Sequence, residues 1–252
     1  MVSFGAHGLP LIAAVAIWFV STGAILWLDR RPRATYGTSL ALLGAASIGA
    51  LVAVAATAHD RSPLGAYVGF GAALTIWGWH EFAFLIGAVT GPRRADLPAG
   101  AQGLRRFRLA AQTVIHHEVA LALTLLLIAA LTWDAPNVTA AETFGLLFAM
   151  RLSTKLNIFI GVPNLSTDML PAHLAYLKSY FRVRPAGLPF VASLIGLSAL
   201  ASGLGSRALG ATEGEAVSAS LAFALVALGL LEHLFLVMPI RDAALWRWAS
   251  RA

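Results

Sequence analysis

Three glutamates in apolar surroundings each have a histidine beside them, in His80-Glu81, His116-His117-Glu118 and Glu232-His233. Two bases, Arg151 and Lys155, lie in a similar stretch, four residues apart. Imidazole and carboxylate without thiolate suit iron, zinc or manganese, and these seven His and Glu side chains would suffice for one or two ions. A histidine can also ligate the magnesium of a chlorin, while Arg151 and Lys155 would meet a carboxylate or diphosphate head group. The remaining possibility is structural: three acids nearly balance two bases, as in an ion-pair network that fixes helix packing. Spacing does not choose among these. HxxxH, HExxH and ExxH are absent, and the two bases would repel a cation unless they serve an anionic substrate.

The elements that carry these residues follow from composition. Of 252 residues, 58% are hydrophobic and 12% charged, against roughly 45–50% and about 25% in soluble domains. Mean hydropathy is +0.76. Such a chain is an integral membrane protein, all-α, with one transmembrane domain over 1–252. Apolar runs predict seven spans: Leu9–Leu28, Gly37–Thr57, Leu64–Val89, Leu109–Leu131, Glu142–Ile160, Leu188–Gly203 and Ala216–Met238. With no cysteine, disulfides, thiolate metal sites and cysteine nucleophiles are excluded. The net charge of +6 reflects loop arginines, not nucleic acid binding. The N-terminus lacks a basic n-region and a small-residue cleavage site, so no removable signal peptide is expected.

Fourteen bases fall after the first, third, fifth and seventh spans, and only Arg61 and Arg207 fall in the opposite loops. That asymmetry predicts an external N-terminus and a cytoplasmic C-terminus. Within the cytoplasmic loop 164–184, Leu170, Leu174, Leu177 and Phe181 recur at helical spacing, predicting an amphipathic surface helix. Trp246 and Trp248 read as interface anchors.

Depth then gathers the polar residues. At 1.5 Å per residue, His80, His117 and Arg151 lie roughly 12–15 Å from the cytoplasmic helix ends, with Lys155 and Glu232 roughly 9 Å deep. A charge in hydrocarbon costs at least about 2.5–3.5 kcal/mol, so such groups face protein or water and find partners. Gln112, Thr113, His116, His117 and Thr124 are expected on one face of the fourth span. His173 would cap the slab from below.

The stretches WGWHEFAFLIGAVTGPRR from Trp77, TVIHHEVALAL from Thr113 and RLSTKLNIFIGVPNLSTDMLPAHLAYLKSYF from Arg151 resemble the PuhE family, photosynthetic complex assembly protein 2. The resemblance implies a multi-pass protein of the inner (photosynthetic intracytoplasmic) membrane of a purple phototroph. It also implies a role in reaction-centre and core-antenna assembly and in bacteriochlorophyll supply. Partners would be membrane lipids, complex subunits and pigment-synthesis enzymes. Residues in the densest motifs are His80, Glu81, His116, His117, Glu118, Arg151, Lys155, Asn157, Asp168 and His173. Asn157, Asp168 and His173 join Arg151 and Lys155 as candidates for binding an anion or substrate. His80, Glu81, His116, His117, Glu118, Glu232 and His233 are the candidate metal or pigment ligands. The preferred expectation is an assembly factor whose pocket handles a pigment or precursor. The alternatives are a metal-dependent oxidoreductase acting on a lipophilic tetrapyrrole or isoprenoid, and a scaffold with a purely structural cluster.

Overall fold

Proline and capping side chains set the start of several helices. Pro10 and Pro189 occupy first turns, and Ser62 accepts a hydrogen bond from the Gly65 N–H one residue ahead of Pro63. The computed structural model describes residues 2–165, 167, 170–239 and 246. Its long helices are α1 (Leu9–Asp29), α2 (Tyr36–Thr57), α3 (Pro63–Leu85), α4 (Gly103–Leu131), α5 (Thr139–Ile160), α6 (Leu188–Gly210) and α7 (Glu213–Phe235). Among the described residues, six helices are long and apolar enough to cross a membrane, which makes this a multi-pass helical protein.

The helix outside that set is α3. Its glycines, Tyr67, Trp77, Trp79, His80 and Glu81 dilute its hydropathy. It can carry them because it is surrounded by protein: Phe70, Ala73, Phe82 and Ala83 are essentially inaccessible. α7 lies beside it, with 67% of its apolar window buried against 17–22% for the other five candidate spans. Phe70 and Leu74 of α3 pack with Val217, Leu221 and Leu225 of α7 in the main core. The remaining helices surround this pair.

The arginine-bearing segments meet at one end. Tyr180 accepts from Arg93 Nε at 2.6 Å and donates to the Ala95 carbonyl at 2.9 Å, while Asn164 Nδ2 donates to the Phe235 and Met238 carbonyls. At the other end Asn137 Nδ2 donates to the Thr57 and Gly65 carbonyls. Arg207 forms a two-pronged ion pair with Glu142 there, at 2.7 and 2.6 Å.

Four expectations change. The third span ends at Leu85, not Val89, because Gly87 at φ +78° reverses the chain. The Gly87 and Ala88 N–H groups bond back to Phe84 and Ala83, closing a Schellman motif. The sixth helix runs on to Gly210, which places Arg207 inside it, where Glu142 satisfies the charge.

The third change concerns the surface helix, which is a 3₁₀ strap, Ala172–Tyr180. Side chains three apart share a face in 3₁₀ geometry, and Leu174, Leu177 and Tyr180 are all buried. The strap packs inward on Phe84. Trp246 is likewise no interface anchor: it is 5% exposed, edge-on to Trp18, and its Nε1 donates to the Phe19 carbonyl. Trp248 and the bases Arg241, Arg247 and Arg251 lie outside the described residues.

Candidate functional site

The polar residues gathered at one depth are organised by α5. Four of its positions each bind a different helix. Arg151 Nη2 donates to Glu81 of α3 at 3.1 Å, and Lys155 pairs with Glu118 of α4. Ser153 shares a 2.9 Å hydrogen bond with His233 Nε2 of α7, and Asn157 Nδ2 donates to Ser193 of α6 at 2.9 Å. Alternate residues on a helix point about 200° apart, so a polar run at 151, 153, 155 and 157 reaches neighbours on two opposite faces, Arg151 and Lys155 on one and Ser153 and Asn157 on the other. The His233 Nδ1–H donates to the Gly229 carbonyl at 2.8 Å, so in the neutral ring Nε2 accepts from the Ser153 hydroxyl.

His80 shares a 2.9 Å hydrogen bond with Thr124 and lies 6.4 Å, ring to ring, from His117. His117 is 1% exposed, and among the described residues neither of its buried ring nitrogens has a hydrogen-bond partner. Phe84 stands between His117, at 4.8 Å, and the Lys155 ammonium, at 5.6 Å. Residues 90–93 fix this part of α4 by taking backbone groups a regular helix uses internally. The His117 N–H donates to the Thr90 carbonyl, and the Gln112 carbonyl accepts from the Arg93 N–H. Gly91 permits the approach, since a Cβ there would lie 2.2 Å from the Gln112 oxygen.

Glu81, Arg151 and Glu232 line one cavity of about 240 Å³ between α1, α3, α5 and α7. Its other walls are largely apolar, with Trp18, Trp77 and Leu225 among them. Among the described residues, Glu81 Oε1 and Arg151 Nε are fully buried and have no hydrogen-bond partner, while other atoms of the two side chains line the cavity. The chemistry this offers is recognition of a polar group on an otherwise apolar molecule. A second, polar cavity of about 350 Å³ lies at the opposite end, lined by Asp60, Arg61, Asn137, Arg207, Glu213 and Glu215 among others. There the Ser62 backbone N–H holds the Asp60 carboxyl below the usual carboxylate range.

The cluster does not take in every candidate. His116 is exposed, because α4 turns Thr113, His117 and Thr124 inward while Gln112 and His116 face out. His233 and Asn157 serve α7 and α6 contacts away from the His80–His117 pair. His173 sits over Gly87 and interacts electrostatically with Asp29, a nearly buried acid at the end of α1 that apolar-run reading passes over. Asp168 lies outside the described residues. Ser153, Ser193 and Thr124 complete the network, but hydroxyls are common in transmembrane helices and carry no signal alone. Among the described residues no three His, Asp or Glu side chains converge as metal ligands would, and Glu81 and Glu118 are each engaged by a base.

No solved structure matches the chain. It is 40% identical over 245 residues, 95% of this chain and 89% of the relative, to the "Uncharacterized 30.4 kDa protein in puhA 5'region" of Rhodobacter capsulatus. That relative is encoded in the 5' region of puhA. The family described as "Protein of unknown function (DUF3623)" matches residues 4–252. From near its first residue to its last, the chain belongs to the DUF3623 family.

Proposed function

We propose that this protein is a seven-span factor of the photosynthetic inner membrane that aids reaction-centre and core-antenna biogenesis by holding a pigment or its precursor. Its N-terminus is external and the arginine-rich end cytoplasmic, as the basic-residue asymmetry requires. The relative's position beside puhA supports the photosynthetic role. The observation that carries the mechanism is the cavity, which is apolar over most of its wall and charged where Glu81, Arg151 and Glu232 meet it. At about 240 Å³ it is smaller than the roughly 300–1,000 Å³ of sites that enclose a whole drug-sized ligand. It therefore takes one end of a larger amphiphile, whose polar edge meets the Glu81, Arg151 and Glu232 side chains that line it. Trp246 braces the Trp18 wall from outside.

The test is an absorption spectrum of protein purified from pigment-containing membranes. Chlorin bands should accompany the wild type and be lost in Arg151→Gln that still folds. A wild-type preparation without chlorin bands contradicts pigment binding.

A second reading, a scaffold that only contacts complex subunits, is favoured by one observation: the polar residues of α5 are spent on four neighbouring helices. Under it, variants that empty or fill the cavity without unfolding the protein leave complex assembly intact.

A further inference from the structure

Arg106, in the first turns of α4, is a buried guanidinium at 4% exposure, and among the described residues no carboxylate is in hydrogen-bond contact with it. Its Nη2 donates to the carbonyls of Phe159, at the end of α5, and Tyr180, at the end of the strap, and its plane lies 3.8 Å over the Phe159 ring. The charges that act on it are Arg182 and Arg184, both repulsive. Those two residues are pinned beside α5. The Arg182 and Arg184 N–H groups donate to the Ile158 and Val162 carbonyls, and Val162 pairs with Val183 as an isolated parallel bridge. The Arg184 stem crosses Gly161, where φ is +135° and a Cβ would lie 2.4 Å from Arg184 Cγ. Arg105 and Arg108 are exposed on the neighbouring turn of α4.

Five arginines from two chain segments are thus concentrated where α4 begins and α5 ends, and none is in an ion pair among the described residues. The α5 carbonyls supply only a partial counter-charge, about half an elementary charge for a helix C-terminus. Apolar side chains alternate with the cations: Leu104 is 63% exposed, Phe107 46% and Val183 72%. The 29 residues of α4 extend about 43 Å, well beyond a hydrocarbon core of about 30 Å. Its first turns therefore stand at head-group level, where arginines reach phosphate while adjacent apolar side chains enter the acyl region.

We propose that Arg105, Arg108, Arg182 and Arg184, set around the buried Arg106, form a head-group site for an anionic phospholipid. The lipid phosphate supplies the counter-charge that the described residues do not, and its acyl chains lie along Leu104, Phe107 and Val183. The site is separate from the Glu81–Arg151–Glu232 cavity and does not depend on pigment binding.

The test uses the full chain in detergent, offered equimolar phosphatidylglycerol and phosphatidylcholine, with retained lipids counted by native mass spectrometry. The wild type should retain the anionic lipid by at least about tenfold. Arg105→Gln/Arg108→Gln/Arg182→Gln/Arg184→Gln should bring retention near parity, and Arg182→Gln/Arg184→Gln, the milder change, should cost about threefold. Arg30→Gln/Arg31→Gln/Arg33→Gln, which lowers net charge elsewhere, should keep the preference. Parity in the wild type, preference persisting in the quadruple variant, or equal loss in the Arg30–Arg33 control overturns the site. Displacement by excess inorganic phosphate as effectively as by phosphatidylglycerol would make it a soluble-anion site and overturn the lipid assignment.

Discussion

A charged residue within an apolar helix is easy to see in a sequence, but its partner is not. Glu81, Glu118, Arg151 and Lys155 stood out because each interrupts hydrocarbon-compatible sequence, and the structure pairs all four. Which acid meets which base depends on helix rotation and neighbour order, which no local pattern encodes. The same limit explains His116 and His117: adjacent residues lie 100° apart on a helix, and only His117 turns inward. Asp29 and Ser153 stayed hidden because a polar residue at a helix end, or a hydroxyl within one, is ordinary. Removing one member of a buried pair leaves the other uncompensated, so Lys155→Met should destabilise the protein by about 3–5 kcal/mol. Lys155→Met with Glu118→Gln should recover most of that loss, read by thermal unfolding in detergent. Equal losses in the single and double variants would show that the pair does not couple α4 to α5. Gly91→Ala drives a methyl into the α4 backbone and should cost about 2 kcal/mol in the same assay.

At the scale of elements, hydropathy placed all seven long helices, and its errors have physical causes. α6 outruns its apolar stretch because Glu142 neutralises Arg207 within the bundle. α3 falls short in hydropathy because its glycines and polar side chains are carried on a helix packed against α2, α5 and α7, with Phe70, Ala73 and Phe82 inaccessible. In the strap, Leu170, Leu174, Leu177 and Phe181 satisfy the 3.6-residue period, so the sequence predicts an α-helix there. The buried set Leu174, Leu177 and Tyr180 instead follows a period of three. Arg106 fastens this strap through the Tyr180 carbonyl. Arg106→Met should therefore raise hydrogen exchange across Leu174–Tyr180 by at least about tenfold while exchange in α3 and α7 stays near wild type. Unchanged exchange in the strap would mean that Phe84 packing alone holds it.

For the whole molecule, the convergence of the arginine-bearing segments at one end accounts for the charge asymmetry of the sequence, and it gives α3 the decisive place in the topology. Because the chain has no native cysteine, single cysteines at the exposed positions Arg61 and Arg94, before and after α3, report its crossing directly. They should be labelled from opposite sides of the membrane, with Arg94→Cys accessible from the cytoplasm. Labelling from the same side would remove α3 from the spans. The cavity was the feature least legible in advance, since it depends on how α1, α3, α5 and α7 are spaced and not on any motif. Its role is tested most directly by filling it without touching a charge. Ser21 lines the α1 wall, and Ser21→Phe places a ring in the cavity, while Leu126→Phe, on an exposed face of α4, serves as control. The measurement is near-infrared absorbance of assembled reaction-centre and core-antenna complex, per unit of this protein, in a phototrophic host lacking its own copy. Ser21→Phe should lower assembled complex by at least about tenfold, the effect expected when a binding site loses about 1.4 kcal/mol or more, with protein abundance unchanged and Leu126→Phe at wild-type level. Full complex assembly with Ser21→Phe at normal abundance would contradict the claim that the cavity is where this protein acts.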